Sequence, residues 1–339
     1  DYFAMLAMVG LGVTAAQAGT GPLLIRLQQA RMHQWALMCV ILRGLIALVA
    51  VLWIAVGMET NTLSHVWPLL LMPLCAALSP DWVVSARTEF SRISFITLIA
   101  QMAGIGTATV ATGFSNPHLL FAVAPVISVA SLIASIIFAL TPTQDHRTPP
   151  SEITFPSRQS AFGMVGFALL SGALPNLDFV LLATDGTLFL AQRIFLICAA
   201  LLAAIMATLF AKHQTAYLRD IWLLLPMAGA TMMLWLFPAS IAELVYGYPS
   251  AKLISLLHLG AFWPILLALL SRQILILQES PSAMWIGWLC LVGLIISAFF
   301  IPTPISAHDA LLLMQVRLVV LLGVLHVCGL RAIRRVVVR

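Results

Sequence analysis

The sequence predicts an all-α polytopic membrane protein, with about eleven transmembrane helices in two bundles around a central cavity. Three observations predict it. Of the 339 residues, 62% are hydrophobic and only 9% charged, and mean hydropathy is +1.05. Soluble domains carry about 45–50% apolar and about 25% charged residues, so a soluble enzyme is excluded, as are disorder and a collagen-like chain. The apolar residues gather in runs long enough to cross a bilayer. The basic residues fall in alternate gaps between those runs, so the formal charge of +5 reads as membrane topology and not as a nucleic-acid footprint.

A bilayer core about 30 Å thick needs about 20 apolar residues per helix. The runs are 2–19, 35–57, 66–78, 93–113, 119–140, 161–184, 187–211, 221–241, 251–277, 284–301 and 311–330. The third is short and holds Pro68 and Pro73, which predicts a kink. The first opens on Asp1 with no basic residue before the apolar stretch, so it reads as a span and not as a signal peptide. Trp35, Trp67, Trp82, Trp222 and Trp285 stand where an aromatic belt would lie.

One set of gaps holds Arg26, Arg31, Arg87, Arg92, Arg147, Arg158, Lys212, Arg219 and Arg272, and the tail adds Arg331, Arg334, Arg335 and Arg339. The other set holds Asp1, Glu59, Asp185, Glu243 and Asp309, with no Lys or Arg. By the positive-inside rule the first set is cytoplasmic. This predicts a multi-pass protein of a bacterial cytoplasmic (inner) membrane, with the C-terminus inside and residue 1 outside. The longest gap contains Pro142, Pro149, Pro150 and Pro156 and reads as a cytoplasmic linker. The predicted domains are therefore an N-terminal bundle over 1–140, the linker over 141–160, and a C-terminal bundle with a basic tail over 161–339. Five runs precede the linker and six follow it. A further helix before Asp1 would make the halves equal, giving twelve spans built from two repeats.

Arg43, Arg193, Arg317 and Lys252 lie within or just inside runs. A charge at mid-membrane is costly unless it faces a polar interior or reaches the headgroups. Lys252 sits at an outer span end and is expected to snorkel. Arg272 is expected to anchor to headgroups at the cytoplasmic face. Asp178, in Pro175-Asn176-Leu177-Asp178, is the one acid clearly inside a run and is the candidate partner of a buried arginine. Two readings stand for Arg43, Arg193 and Arg317: structural pairing, or a polar cavity with excess positive charge suited to a phosphate or pyrophosphate.

The five cysteines all lie in apolar runs without close zinc-ligand spacing, so they predict neither a metal site nor a disulfide framework. The histidines form no chain of the kind a proton relay needs. No Walker lysine follows a glycine-rich loop, and neither HExxH nor GxSxG occurs. A non-enzymatic protein is expected, with no cofactor and no catalytic residue.

Several short stretches resemble the Wzx-type polysaccharide and O-antigen flippases of the multidrug/oligosaccharidyl-lipid/polysaccharide (MOP) exporter superfamily. They are Leu78-Ser79-Pro80-Asp81-Trp82-Val83 followed by Arg87-Thr88-Glu89, the glycine-then-arginine turn Gly19–Arg31, Asn176-Leu177-Asp178 with Ala191-Gln192-Arg193-Ile194, and Tyr246-Gly247-Tyr248-Pro249-Ser250-Ala251. Trp82-Val83 departs from the family's wording, and the family's first helix is missing. The resemblance implies two six-helix bundles that rock to open a central cavity to each side in turn. Its substrate class is an undecaprenyl-pyrophosphate-linked oligosaccharide, with polysaccharide polymerase or ligase machinery as partners alongside the membrane lipids. On it, Arg43, Arg193 and Arg317 would meet the pyrophosphate and glycan. Asp178 would hold an arginine or join in coupling to a cation, Na+ or H+, that the sequence does not identify.

Two other functions remain open. A MATE-like small-molecule exporter shares the architecture but predicts an acidic cavity for cationic substrates. A membrane-embedded polymerase or O-antigen ligase needs catalytic residues in a sizeable external loop, and the outer gaps here are short.

Overall fold

The computed structural model describes residues 2–56, 67–113, 121–141, 157–182, 186–212, 216–247, 250–278, 280, 283–300 and 306–337; residues 2–4, 7, 112, 176, 178–182, 211, 212, 216–219, 299, 300 and 330–337 are described by backbone alone. Among them there is no strand. The helices are α1 (Tyr2–Gln17), α2 (Gly21–Gln29), α3 (His33–Val56), a 3-10 turn at Trp67–Leu70, α4 (Leu71–Leu78), α5 (Asp81–Ala86), α6 (Phe90–Gly113) and α7 (Val123–Leu140). After the linker come α8 (Arg158–Leu182), α9 (Gly186–Lys212), α10 (Ala216–Leu236), α11 (Pro238–Tyr246), α12 (Ala251–Leu259), α13 (Trp263–Leu277), α14 (Ile286–Phe300) and α15 (Ala307–Val337). Every apolar run of the sequence has a helix at its place. Eight helical stretches among the described residues are long and apolar enough to cross a membrane, and a ninth is added if the bent pair α10–α11 counts as one. The protein is an all-helical, multi-pass membrane protein.

The chain forms two compact units, residues 5–156 and residues 157–339 with residues 1–4. In the first, α2 packs on α5, α4 on α3 and α7, and α6 along α7. Runs read as single segments turn out to be broken. The span 8–29 is α1 and α2, joined through Ala18 and Gly19 at φ 49 and 60. The span 67–86 is the 3-10 turn, α4 and α5, broken at Ser79-Pro80. The third run therefore does not end at Leu78 but continues through Ala86, because Pro80 lacks the N–H that would bond back to the preceding turn.

Each broken span then ends in a left-handed residue that is not glycine, Arg31 at φ 56 and Thr88 at φ 59, and leads into a helix of 24 residues. The two arms repeat at an offset of 57: Arg31 to Thr88, His33 to Phe90, Val56 to Gly113. Their buried positions repeat too. On α3 they include Arg43, Ala47 and Ile54; on α6 they include Ala100, Gly104 and Ala111 at the same offset. The opposite side of α3, including Leu42, Val49 and Trp53, is exposed, as a lipid-facing helix should be.

In the second unit α13 is central, packed by α9, α10 and α15. Trp263, Leu267, Ala268, Leu270, Ile274 and Leu277 are buried along it in one continuous core that reaches from α8 to α15. Lipid tails are as apolar as leucine, so such helices are held by close packing and polar bonds more than by exclusion of water. The pair α8–α14 shows this: a Cβ on Gly287 would come within 2.7 Å of the Phe167 backbone N, and one on Gly166 within 2.7 Å of the Trp288 ring. Phe162 stacks on Trp288 with ring centroids 5.1 Å apart, and the Trp288 indole donates to the Phe162 carbonyl at 3.0 Å.

Trp35, Trp67, Trp222 and Trp285 are exposed, as a belt requires. Trp82 instead packs on the small cluster Leu24, Leu27 and Ala36. All five cysteines are free thiols. Lys252 is exposed at the start of α12. Arg272 is not a free headgroup anchor, because it forms an ion pair with Asp220 of α10 at 2.8 Å.

Candidate functional site: buried arginines at interrupted helices

Arg43 sits on the inner stripe of α3 and is 4% exposed. Its Nε donates to the Gln17 carbonyl at 3.1 Å and to Thr20 Oγ1 at 2.7 Å. Gln17 closes α1, where left-handed Ala18 and Gly19 stop the helical ladder, and its carbonyl also accepts the Thr20 N–H at 3.0 Å. A cation at the negative end of a helix dipole is favourable, and Thr20 relays the contact by donating to the same carbonyl at 3.0 Å. The guanidinium also lies against the start of α2, where a Cβ on Gly21 would be 3.9 Å from one Nη. Both hydrogen bonds use Nε and neutral partners, so the Nη pair remains for another contact among the described residues.

Asp81 acts electrostatically on Arg43; the side chain of Asp178, the partner expected from the sequence, lies outside the described residues. Asp81 opens α5 next to the break at Ser79-Pro80, and its Oδ1 accepts the Trp82 N–H at 3.0 Å. Asp81 is exposed and makes no ion pair with Arg43 among the described residues, so its effect on the guanidinium is a longer-range one. The sequence pointed only to Asp178 because the run seemed to end at Leu78, which left Asp81 in a turn. The Ser-Pro pair was the signal that the span is interrupted and not finished.

Arg317 is 6% exposed on α15, and one Nη donates to the Ser297 carbonyl of α14 at 3.4 Å. Arg193 on α9 is half-buried, with its guanidinium 4.8 Å from the Phe189 ring centroid, a cation–π contact. Its neighbour Gln192 is the more buried of the two, and its amide donates to the Pro175 carbonyl of α8 at 3.1 Å. Asp178 lies on α8, but its side chain falls outside the described residues. Arg43 belongs to the first compact unit; Arg193, Arg317 and the backbone of Asp178 belong to the second.

Two further charges read as cytoplasmic turn residues are buried. Arg26 is 4% exposed and donates to Gln29 Oε1 at 3.0 Å, and Gln29 in turn reaches the Ala86 carbonyl of α5 at 3.5 Å. Glu89 is 7% exposed and pairs with Arg92 at 2.9 Å. Arg92 also donates to the Phe138 and Thr141 carbonyls and lies over the Phe138 ring, so it caps the end of α7. Among the described residues no three His, Cys, Asp or Glu side chains cluster where they could hold a metal ion.

No family model matches the chain, and no curated protein matches it. Among solved structures the chain is similar to the Vibrio cholerae MATE transporter VcmN in its bent form. The identity is 16% and the TM-score 0.45, covering 98% of this chain and 86% of that one. At that identity and TM-score the similarity assigns no residue a role.

Proposed function

We propose that this protein is a flippase that moves undecaprenyl-pyrophosphate-linked oligosaccharide units across the bacterial cytoplasmic membrane by alternating access. The observation that carries the reading is Arg43, a buried guanidinium in a membrane span whose hydrogen bonds among the described residues go to neutral groups. Such a cation in a low-dielectric interior attracts an anion strongly, and a guanidinium matches the oxygens of a phosphate. The 57-residue repeat adds support. The equivalent position on α6 holds Ala100, so helix packing at this place does not require an arginine.

On this reading each compact unit is one bundle of the transporter, and Arg193 and Arg317 are further cations within the second. The polyprenyl tails stay in the bilayer while the pyrophosphate passes the arginines. The basic loops and the C-terminus are cytoplasmic.

The test is the leaflet location of lipid-linked glycan in cells carrying Arg43→Ala. Complete repeat units are expected to accumulate on the cytoplasmic face while the variant protein remains at normal abundance. Full complementation would overturn the cationic-site reading. Units that reach the outer face but stay unpolymerised or unligated would point instead to a polymerase or ligase. Restored export of a cationic drug with normal glycan export would point to a small-molecule exporter.

A further inference from the structure

α10 holds Arg219 and Asp220 near its start, and its apolar part, 221–236, is about 24 Å long at the rise of an α-helix. The run 221–241 continues past its end. The chain breaks at Phe237, which takes φ −130 and ψ 45 because a following proline disfavours the helical region. Pro238 then opens α11 in its first turn, where a missing N–H costs nothing. The two helix axes differ by 96°. A helix that turns through a right angle does not lengthen α10 along its axis; it lies across it.

Its faces fit such a position. Phe237, Ile241, Leu244 and Val245 stand at i, i+4, i+7 and i+8 and form one apolar stripe. Phe237 is 57% exposed, Leu244 86% and Val245 44%. Ser240 and Glu243 are exposed on the other flank. The inner side is fixed: Ala242 is fully buried, and the Tyr246 hydroxyl donates to the Leu190 carbonyl of α9 at 2.7 Å. The stripe continues the outward face of α10, where Met232, Met233, Trp235 and Leu236 are exposed. An apolar stripe joined to a lipid-facing surface and bordered by a carboxylate is the pattern of an in-plane membrane helix.

We infer that α11 is an interfacial helix. It lies in the membrane plane with Phe237, Leu244 and Val245 in the acyl-chain boundary, Ile241 packed partly on the core, and Glu243 toward water. Its occupant is phospholipid, and its placement in the outer leaflet rests on the orientation proposed above. The helix would hold the outer end of α10 at a fixed depth, with Tyr246 coupling it to α9.

Single cysteines at 237, 240, 241, 243 and 244 test this in the full chain, with the native cysteines replaced. The chain is reconstituted in phosphatidylethanolamine/phosphatidylglycerol vesicles and spin-labelled. Collision with oxygen is expected to dominate at 237, 241 and 244, and collision with a water-soluble nickel chelate at 240 and 243. Nickel dominance at 244 would overturn the inference by placing the stripe in water. Oxygen dominance at all five positions would make α11 a re-entrant segment. Protection of 244 from both reagents would mean that protein covers it, a second copy included. If the cysteine-free chain does not fold, a photoreactive amino acid at 244 or 243 of the native chain gives the same answer. Phospholipid adducts at 244 and not at 243 are expected, and their absence at 244 overturns the inference. Sidedness is read separately with an impermeant maleimide on Glu243→Cys in intact cells. Labelling there supports the outer leaflet. Labelling only after permeabilisation moves the helix to the inner leaflet and overturns the orientation, while the depth pattern stands.

Discussion

The two compact units keep their helices together by different means. Residues 157–339 share one core of large side chains, with Phe167, Phe195 and Trp263 fully buried and α13 at its centre. Residues 5–156 have small separate clusters instead, such as Ala16, Ala47 and Ala77, or Val84, Ile96 and Ala134. They also hold Arg26, Arg43 and Glu89 in the interior and place Ala18, Arg31 and Thr88 in the left-handed region. In the second unit the described left-handed residue is Gly247, which adopts that conformation without strain. Packing is concentrated in one unit; among the described residues three of the four buried charges and the left-handed non-glycine residues lie in the other, the fourth charge being Arg317.

If that contrast holds, the largest loss of stability should come from the second unit. Trp263→Ala is expected to cost about 3–5 kcal/mol and to show as lost abundance and a lowered Tm in detergent. Gly287→Ala acts on the same unit by the opposite route. The added methyl meets backbone of α8, which cannot move aside, and the expected cost is about 1–3 kcal/mol, read by the same thermal scan. A Tm drop after Arg43→Ala as large as that of Trp263→Ala would erase the distinction between the units. The expected result is glycan export reduced by at least about tenfold, the effect of losing about 1.4 kcal/mol of substrate interaction, with a small change in Tm.

At the ends of helices the effects are smaller. Arg92→Ala removes the cap on the last carbonyls of α7 together with the Glu89 ion pair. A cost of about 1 kcal/mol is expected, measured by unfolding, and Arg92→Lys should restore part of it.

The sequence already carried the helical runs, the alternation of basic gaps and two of the buried cations, because hydropathy and intramembrane charge are local properties. The interruptions were hidden for a physical reason. An alanine at φ 49 has the same composition as an alanine in a helix, so Ala18 leaves no trace in a hydropathy pattern. The run 221–241 is uniformly apolar on both sides of Phe237, and only the turn between α10 and α11 separates a span from an in-plane helix. The burial of Arg26 and Glu89 and the Arg272–Asp220 pair were not legible, because burial near a span end depends on which other helix arrives there.

The backbone strain itself gives the finest test. A left-handed conformation costs an L-residue roughly 1–2 kcal/mol, and glycine escapes most of that at some cost in unfolded-state entropy. Ala18→Gly is therefore expected to raise stability by roughly 0.5–1 kcal/mol, because no contact beyond one methyl is lost. Gly247→Ala is its mirror in the other unit. No atom lies within 4 Å of the added Cβ, so its cost is purely conformational, about 1 kcal/mol. Equal and opposite shifts in Tm would show that the same backbone term acts in both units and that only the first stores it. A destabilising Ala18→Gly would mean that the bend at Gln17–Thr20 depends on the stiffness of Ala18. Arg43 would then be holding a joint that needs both the strained residue and the guanidinium to keep α1 and α2 apart.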